Sequence, residues 1–283
     1  MGNKKINPYF KKIFSLTIII IINSISYIIV KPKKTIRIMS IGDSITDGSK
    51  AVGSYRKYLY NSLTKNGYSI KMVGPLLSDK FLNFKDGNEN FSYEASHCGY
   101  PGYIIKTNSI KKGVMNVIQD NNYLIKYKPD VVILLIGTND IQINIDVETV
   151  INYLKDFILY IKNNLEKNSF IFVSSIPPFD PNTKISYKWY KYCRVDKNNK
   201  TLSDTELKTI LDKRTENYNN DIKKLVSSLR KDRINIYFSD LNSVIPSIEN
   251  YFYEDGVHPN EKAHKLMGDY LYKQLRVILA KFK

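Results

Sequence analysis

Cysteine, histidine and tryptophan are scarce in this chain: two, three and one among 283 residues. Two cysteines, Cys98 and Cys193, cannot build a disulfide framework or a thiolate metal cluster, which leaves one bridge or two free thiols. Any imidazole base must be His97, His258 or His264. Acid is missing from the first 34 residues, which hold seven lysines. The formal charge of +16 therefore falls to +9 over the remainder, with 36 basic against 27 acidic side chains. Those lysines are scattered among Asn, Ile and Tyr, and no recognition motif for DNA or RNA is present, so no nucleic-acid partner is expected. A lysine-rich solvated surface is the better account. No internal repeat is visible. With 43% apolar residues, the chain can bury one sizeable core.

Residues 1–34 begin with Lys4, Lys5, Lys11 and Lys12, followed by an apolar run over residues 13–30. This is the layout of a secretory signal, with Ser24-Ile25-Ser26 as a small-x-small cleavage site. Tyr27 to Val30 extend the run to about the length of a short membrane span, so an uncleaved signal anchor competes. Either reading sends residues 35–283 into the secretory route: secreted in one case, membrane-anchored by residues 13–30 in the other. On that route Asn90-Phe91-Ser92 and Asn199-Lys200-Thr201 become candidate glycosylation sites. Met1-Gly2 makes a poor myristoylation signal, because residue 6 is Ile where Ser or Thr is expected.

Beyond residue 34, strand and helix patterns alternate. Residues 35–40 read as a mostly buried strand, and 54–65 as a helix with Tyr55, Leu59, Tyr60 and Leu63 at helical spacing. Residues 69–73 form a second strand, 77–94 a loop, and a helix is expected to end near residue 121. Residues 130–136 are an uninterrupted apolar run, the signature of a central parallel strand buried on both faces. A helix over 147–164, a strand over 169–174, a helix over 206–230, a strand over 234–238 and a closing helix over 261–281 follow. In that last helix Leu266, Leu271, Leu275 and Ile278 are expected inward, and His264 at the surface. The pattern predicts an α/β fold, a three-layer α/β/α sandwich around a parallel sheet of about five strands. An aromatic, lysine-rich excursion at 179–205 carries Trp189 with Tyr187, Tyr190 and Tyr192. It is either a sugar-stacking platform or an apolar patch that anchors the excursion.

Several strand ends run into polar turns. The first gives Gly42-Asp43-Ser44, where a serine hydroxyl can leave the carboxyl edge of a sheet, the usual ligand edge in α/β proteins. The central strand gives Gly137-Thr138-Asn139-Asp140. Before the last helix stands Asp255-Gly256-Val257-His258-Pro259. An aspartate three residues before a histidine can hold its Nδ1–H and leave Nε2 to take a proton from Ser44. Acyl transfer also requires oxyanion donors. The candidates are the Ser44 N–H, a backbone N–H of the Gly99–Gly102 turn, and the Asn139 carboxamide. Asp43 is expected to satisfy backbone N–H groups in its turn, and Asn139 has the alternative of capping a helix. His97 is expected to bond backbone and hold its segment; direct catalysis is the other reading.

These blocks, with Gly102 between them, resemble in order those of the SGNH (GDSL-type) hydrolase superfamily, over residues 36–260. The resemblance implies a flavodoxin-like sandwich and a serine esterase that needs no cofactor or metal. It implies Ser44 as nucleophile, His258 as base and Asp255 as its partner, with Ser44, Gly102 and Asn139 around the oxyanion. His97 stands where the superfamily's second block usually has Asn. That His-x-Gly-x-x-Gly form is similar to carbohydrate esterase family 3, whose members are secreted acetyl xylan esterases; Cys98 stands where that block is often acidic. The resemblance therefore implies an enzyme acting on acylated carbohydrate, and a monomer is expected. A lipid or lysophospholipid esterase, or a binding protein with a dead site, is the alternative.

Overall fold

The first strand, β1 (Ile36–Gly42), forms because Ile36, Ile38, Met39 and Ile41 are all buried in the core. A strand apolar on both faces has to lie between two helical layers. The structure, a computed structural model, describes Tyr9 and residues 34–78, 82–87, 89–180, 189–190, 192–195, 200–232 and 234–280. The expected signal or anchor segment lies outside the described residues, as do Tyr187 and Asn199. Residues 35–283 make up one compact unit.

Within it β1 is followed by α1 (Ser44–Asp47), α2 (Ser54–Lys65) and β2 (Ile70–Met72). Next come β3 (Leu76–Leu77), β4 (Leu82–Asp86), β5 (Glu89–Tyr93) and β6 (Ser96–Gly99). The middle of the chain gives α3 (Val114–Asp120), α4 (Tyr123–Tyr127), β7 (Val131–Leu135), α5 (Thr138–Gln142) and α6 (Val147–Asn163). Then β8 (Phe170–Ser174), α7 (Asp204–Lys231), β9 (Ile236–Ser239), α8 (Ile248–Tyr251) and α9 (Glu261–Leu279) close the unit.

The sheet runs β3-β6-β1-β7-β8-β9, with β2 also on β1, and every pairing is parallel except β3 with β6. Among the described residues it has seven strands, two more than the pattern predicted. The extra two are β6 and β3: β2 pairs only with Ile36–Ile38, so β6 takes over beside Ile41 and Gly42, and β3 pairs with β6. From β1 the chain moves one way to β2, and from β7 the other way to β8. With right-handed crossovers, this puts α2 and α6 on opposite faces. α9 packs on α2, and α7 packs on α6 and β9.

Register makes the site. Gly42 is level with Gly99 of β6 on one side and with Leu135 of β7 on the other. The three segments after these residues therefore leave the sheet together, at the point where strand order reverses. Gly42 is required there: a Cβ on it would lie 2.1 Å from the Leu135 carbonyl oxygen.

Three expectations are corrected. The 77–94 loop contains a two-stranded hairpin, β4 with β5. Its Asn, Asp and Lys content hides the alternation of Phe84, Phe91 and Tyr93; Phe84 meets Phe91, Tyr93 and the Tyr58 ring of α2, the latter two edge to face, and Tyr93 stacks on Tyr60. The helix expected before residue 121 is only α3, because Ile104 and Ile105 are anchored in the core as loop. His264 is buried, not at the surface. It lies on the same stripe of α9 as Met267, Leu271 and Leu275, whereas Leu266 and Ile278 are only half-buried. Burial, reinforced by the nearby Lys57 and Arg56 cations, pushes the His264 imidazole down to about 3.

Candidate active site

Ser44 is the first residue of α1, directly after β1. Asp43 caps that turn, its Oδ1 accepting the Ile45 N–H at 3.0 Å. From below, the turn is held by Arg56, the largest fully buried side chain. Its guanidinium donates to the Thr46, Asp47 and Ala95 carbonyls and to the Ser78 hydroxyl. One residue of α2 thus fastens the nucleophile turn to the start of β6.

The Ser44 hydroxyl lies 2.9 Å from His258 Nε2, and His258 Nδ1 lies 3.0 Å from Asp255 Oδ2. The other Asp255 oxygen accepts the Val257 and His258 N–H groups, each at 2.9 Å. This loop is closed on itself by Tyr253 N–H to the His258 carbonyl and Asn260 N–H to the Tyr251 carbonyl. Asn260 then caps α9 by accepting the Lys262 and Ala263 N–H groups. The loop is thus tied by hydrogen bonds along its length and ends in a helix start.

The three candidate oxyanion donors converge. Ser44, Gly102 and Asn139 all line one cavity of about 440 Å³, together with His258, Lys111, Trp189 and Tyr192. Gly102 has φ of +78°, so its place in the turn suits glycine although a Cβ there would meet open space. Asn139 does not cap its helix; Gly137 does. Its carboxamide donates to the Tyr103 carbonyl at 3.0 Å and accepts from Lys111 Nζ at 2.9 Å. These two bonds forbid the flipped amide, which would set oxygen against oxygen and N–H against ammonium. One amide N–H is left for a ligand. Burial pushes the Lys111 ammonium down, against the pull of Asp140 and Asp43.

His97 stands apart from the reacting atoms. It is buried, its Nδ1 accepts the Gly99 N–H at 3.0 Å, and its Nε2 is 3.9 Å from Asp47. Burial, then the Arg56 charge, push the ring down to about 3. A neutral imidazole that organises the β6 turn fits this position. The single bridge considered for the cysteines is not formed. Cys98 is buried in β6, and Cys193 donates its thiol to the Ile141 and Gln142 carbonyls of α5.

That bond, with Tyr190 stacked on Phe179, fastens the described part of the excursion beside α5. Its aromatic residues divide. Tyr190 is fully buried and anchors, whereas Trp189 and Tyr192 are exposed at the cavity. Trp189 meets the His258 ring edge to face at 5.7 Å.

Sequence reasoning missed two lysines. Lys111 falls within the stretch expected to be helical and Lys50 among the charged side chains, yet Lys111 Nζ donates to Asn139 and Lys50 Nζ is 2.8 Å from Asp255 Oδ2. No local signal distinguishes them among 43 basic side chains.

A serine bonded to an imidazole, an imidazole bonded to a carboxylate, and amide donors about one cavity make an arrangement suited to acyl transfer. The comparisons agree with that chemistry. The sequence model of the GDSL-like Lipase/Acylhydrolase family matches residues 38–271. The chain belongs to that family. A multidomain esterase of Ruminococcus flavefaciens is 31% identical over 248 residues, which are 85% of this chain and 28% of the relative. The chain thus spans little more than a quarter of that protein's length. Among solved structures, the Clostridium thermocellum family 3 carbohydrate esterase superposes with a TM-score of 0.59 at 24% identity, covering 88% of this chain and all of the other. A carbohydrate esterase family 3 protein from Talaromyces cellulolyticus gives 0.61 at 18% identity, covering 87% and 99%. At these identities the structures speak for the shared α/β/α fold.

Proposed function

We propose that the chain removes short acyl groups, above all acetyl, from carbohydrate such as acetylated xylan. The observation that carries this reading is the Ser44–His258–Asp255 row opening into a cavity flanked by Trp189 and Tyr192. Exposed flat rings beside a nucleophile suit a pyranose better than they suit a solvated loop. The names of the relatives, an esterase and two carbohydrate esterases, point the same way.

In this mechanism Ser44 Oγ attacks the ester carbonyl while His258 Nε2 takes its proton. Asp255 orients the ring and stabilises the imidazolium. The carbonyl oxygen, now negative, is held by the Ser44 and Gly102 N–H groups and the Asn139 amide; losing one such donor costs about 3–4 kcal/mol of barrier. His258 returns the proton to the leaving sugar oxygen as the C–O bond breaks. Water then clears the acyl-serine by the same relay in reverse. The basic start and apolar run of residues 1–30 make export, by cleavage or anchoring, part of the proposal.

Acetate release from acetylated xylan, by wild type and Ser44→Ala, tests it. Wild type is expected to release acetate, and Ser44→Ala to fall by at least about 10³-fold. Across p-nitrophenyl esters, rates are expected to drop beyond the shortest chains. A preference for long acyl chains would point to a lipid esterase instead. Glycan binding without hydrolysis would point to a dead site.

A further inference from the structure

We propose that Lys50 sets the acidic limit of the reaction, by drawing off part of the Asp255 charge that would otherwise hold a proton on His258. The inference rests on the triad reading above. Its basis is that two donors share one carboxylate oxygen: Lys50 Nζ at 2.8 Å and His258 Nδ1 at 3.0 Å both meet Asp255 Oδ2. The second oxygen is already committed to the Val257 and His258 N–H groups. Asp255 is fully buried, while the Lys50 side chain is about a third exposed, at 35%.

Lys50 is delivered by the nucleophile turn itself. Gly48 N–H bonds the Ser44 carbonyl and Ala51 N–H bonds the Gly48 carbonyl, and this bend carries Lys50 back over the acid. The Tyr253 ring supports the ammonium at 5.7 Å. The cation, the nucleophile and the acid thus stand on two short hydrogen-bonded loops.

The chemistry follows from charge. His258 must be neutral to accept the Ser44 proton, and a bare carboxylate at Nδ1 favours the imidazolium. A cation on that carboxylate opposes the imidazolium and so keeps the base available in more acidic solution. Other charged and titratable groups act on the pair from the surrounding elements. Asp43 at the end of β1 interacts with the His258 charge, and Lys111 lies across the cavity. His264 on α9 lies in the field of His258, and Tyr190 and Tyr253 lie in that of Asp255. Lys50 differs from these in touching the carboxylate that holds the base. A unit charge at this range moves a titration by about one to three pH units, and partial exposure of Lys50 brings the expected effect to about one.

The test is the pH dependence of kcat/KM for p-nitrophenyl acetate, between about pH 4 and 9, for wild type, Lys50→Met, Lys50→Gln and Lys50→Arg. The acidic limb is expected to move up by about one pH unit in the Met and Gln variants and to return in Arg. A purely structural role would lower the plateau without moving the limb. Should Lys50→Met fold poorly, Lys50→Gln, which keeps a polar contact without charge, gives the same readout. An unmoved limb in the folded neutral variants, or an equal shift in Lys50→Arg, overturns the inference. Ser44→Ala assayed alongside separates the two claims: residual turnover there would overturn the triad reading, whatever Lys50 does.

Discussion

Three aspartates lie buried around the cavity, at 1%, 0% and 0% exposure for Asp43, Asp140 and Asp255, and they differ in charge. At the strand ends, burial raises Asp43 to about 6 and Asp140 to about 7. In the loop before α9, burial also acts to raise Asp255, yet it is held well below the ordinary carboxylate range. The difference is in the donors. Asp43 receives the Ile45 N–H on one oxygen and finds no hydrogen-bond partner for the other among the described residues, and Asp140 shares one Ile105 N–H between its two oxygens. Asp255 receives two backbone N–H groups, an imidazole N–H and an ammonium. Burial penalises a charge, but the number and charge of the donors decide whether it survives. The fold thus keeps one carboxylate ionised beside the base and raises the titration of two others, behind the nucleophile and oxyanion turns, toward neutral pH.

The largest effect that can break this contrast is expected from Asp255→Asn. The amide can donate to Nδ1 and so favour the tautomer that places the proton on Nε2, the wrong nitrogen for accepting from Ser44. A loss of about 10³–10⁴-fold in kcat is expected in steady-state ester hydrolysis with the fold intact by circular dichroism. A fall under tenfold would remove Asp255 from the mechanism.

Next comes Asn139→Ala, which separates the carboxamide of the β7 turn from the carboxylate beside it. The expected outcome is a fall of about 10²–10³-fold in kcat with KM little changed, because the missing N–H serves the transition state. An effect confined to KM would make Asn139 a ground-state contact.

The smallest effect is expected from Asp140→Asn, read as stability. A carboxylate raised to about 7 on folding stabilises the protein fully below its unfolded value near 3.8 and loses that contribution as pH rises through 7. The Asn variant is expected to have a flatter urea-unfolding free energy between about pH 4 and 8, and to gain on wild type at the alkaline end. An unchanged slope would mean that Asp140 folds without a raised titration. Asp255 works in the opposite sense. Its contribution is present above the ordinary value and is lost only as pH falls through its depressed folded value.

Much of this was legible from residue types and spacing. A glycine, an acid and a serine after an apolar strand already describe a nucleophile turn. An aspartate three residues before a histidine can reach its Nδ1 with few intervening bonds. The parallel strands at β7 and β8 read clearly because residues buried on both faces leave an unbroken apolar run. The hairpin was hidden because its aromatic residues pack against α2, and its outer face is as polar as a loop. His264 escaped because a polar residue on a buried stripe interrupts the apolar pattern by which the stripe is recognised. The aromatic excursion could not be divided by composition, since Tyr190 and Tyr192 look alike in sequence and only packing sends one into the core.

The sequence by itself determined which groups can do chemistry, and that each of the Ser44, Gly102, Asn139 and His258 segments sits in a turn. Backbone geometry over three or four residues is enough for that. Tertiary structure decided that Gly42, Gly99 and Leu135 are level, so that those turns meet at one edge. It also decided the charge of each aspartate and the use of two lysines among many. Electrostatic energy depends on distance through space, and Lys50 reaches Asp255 across 205 positions of chain.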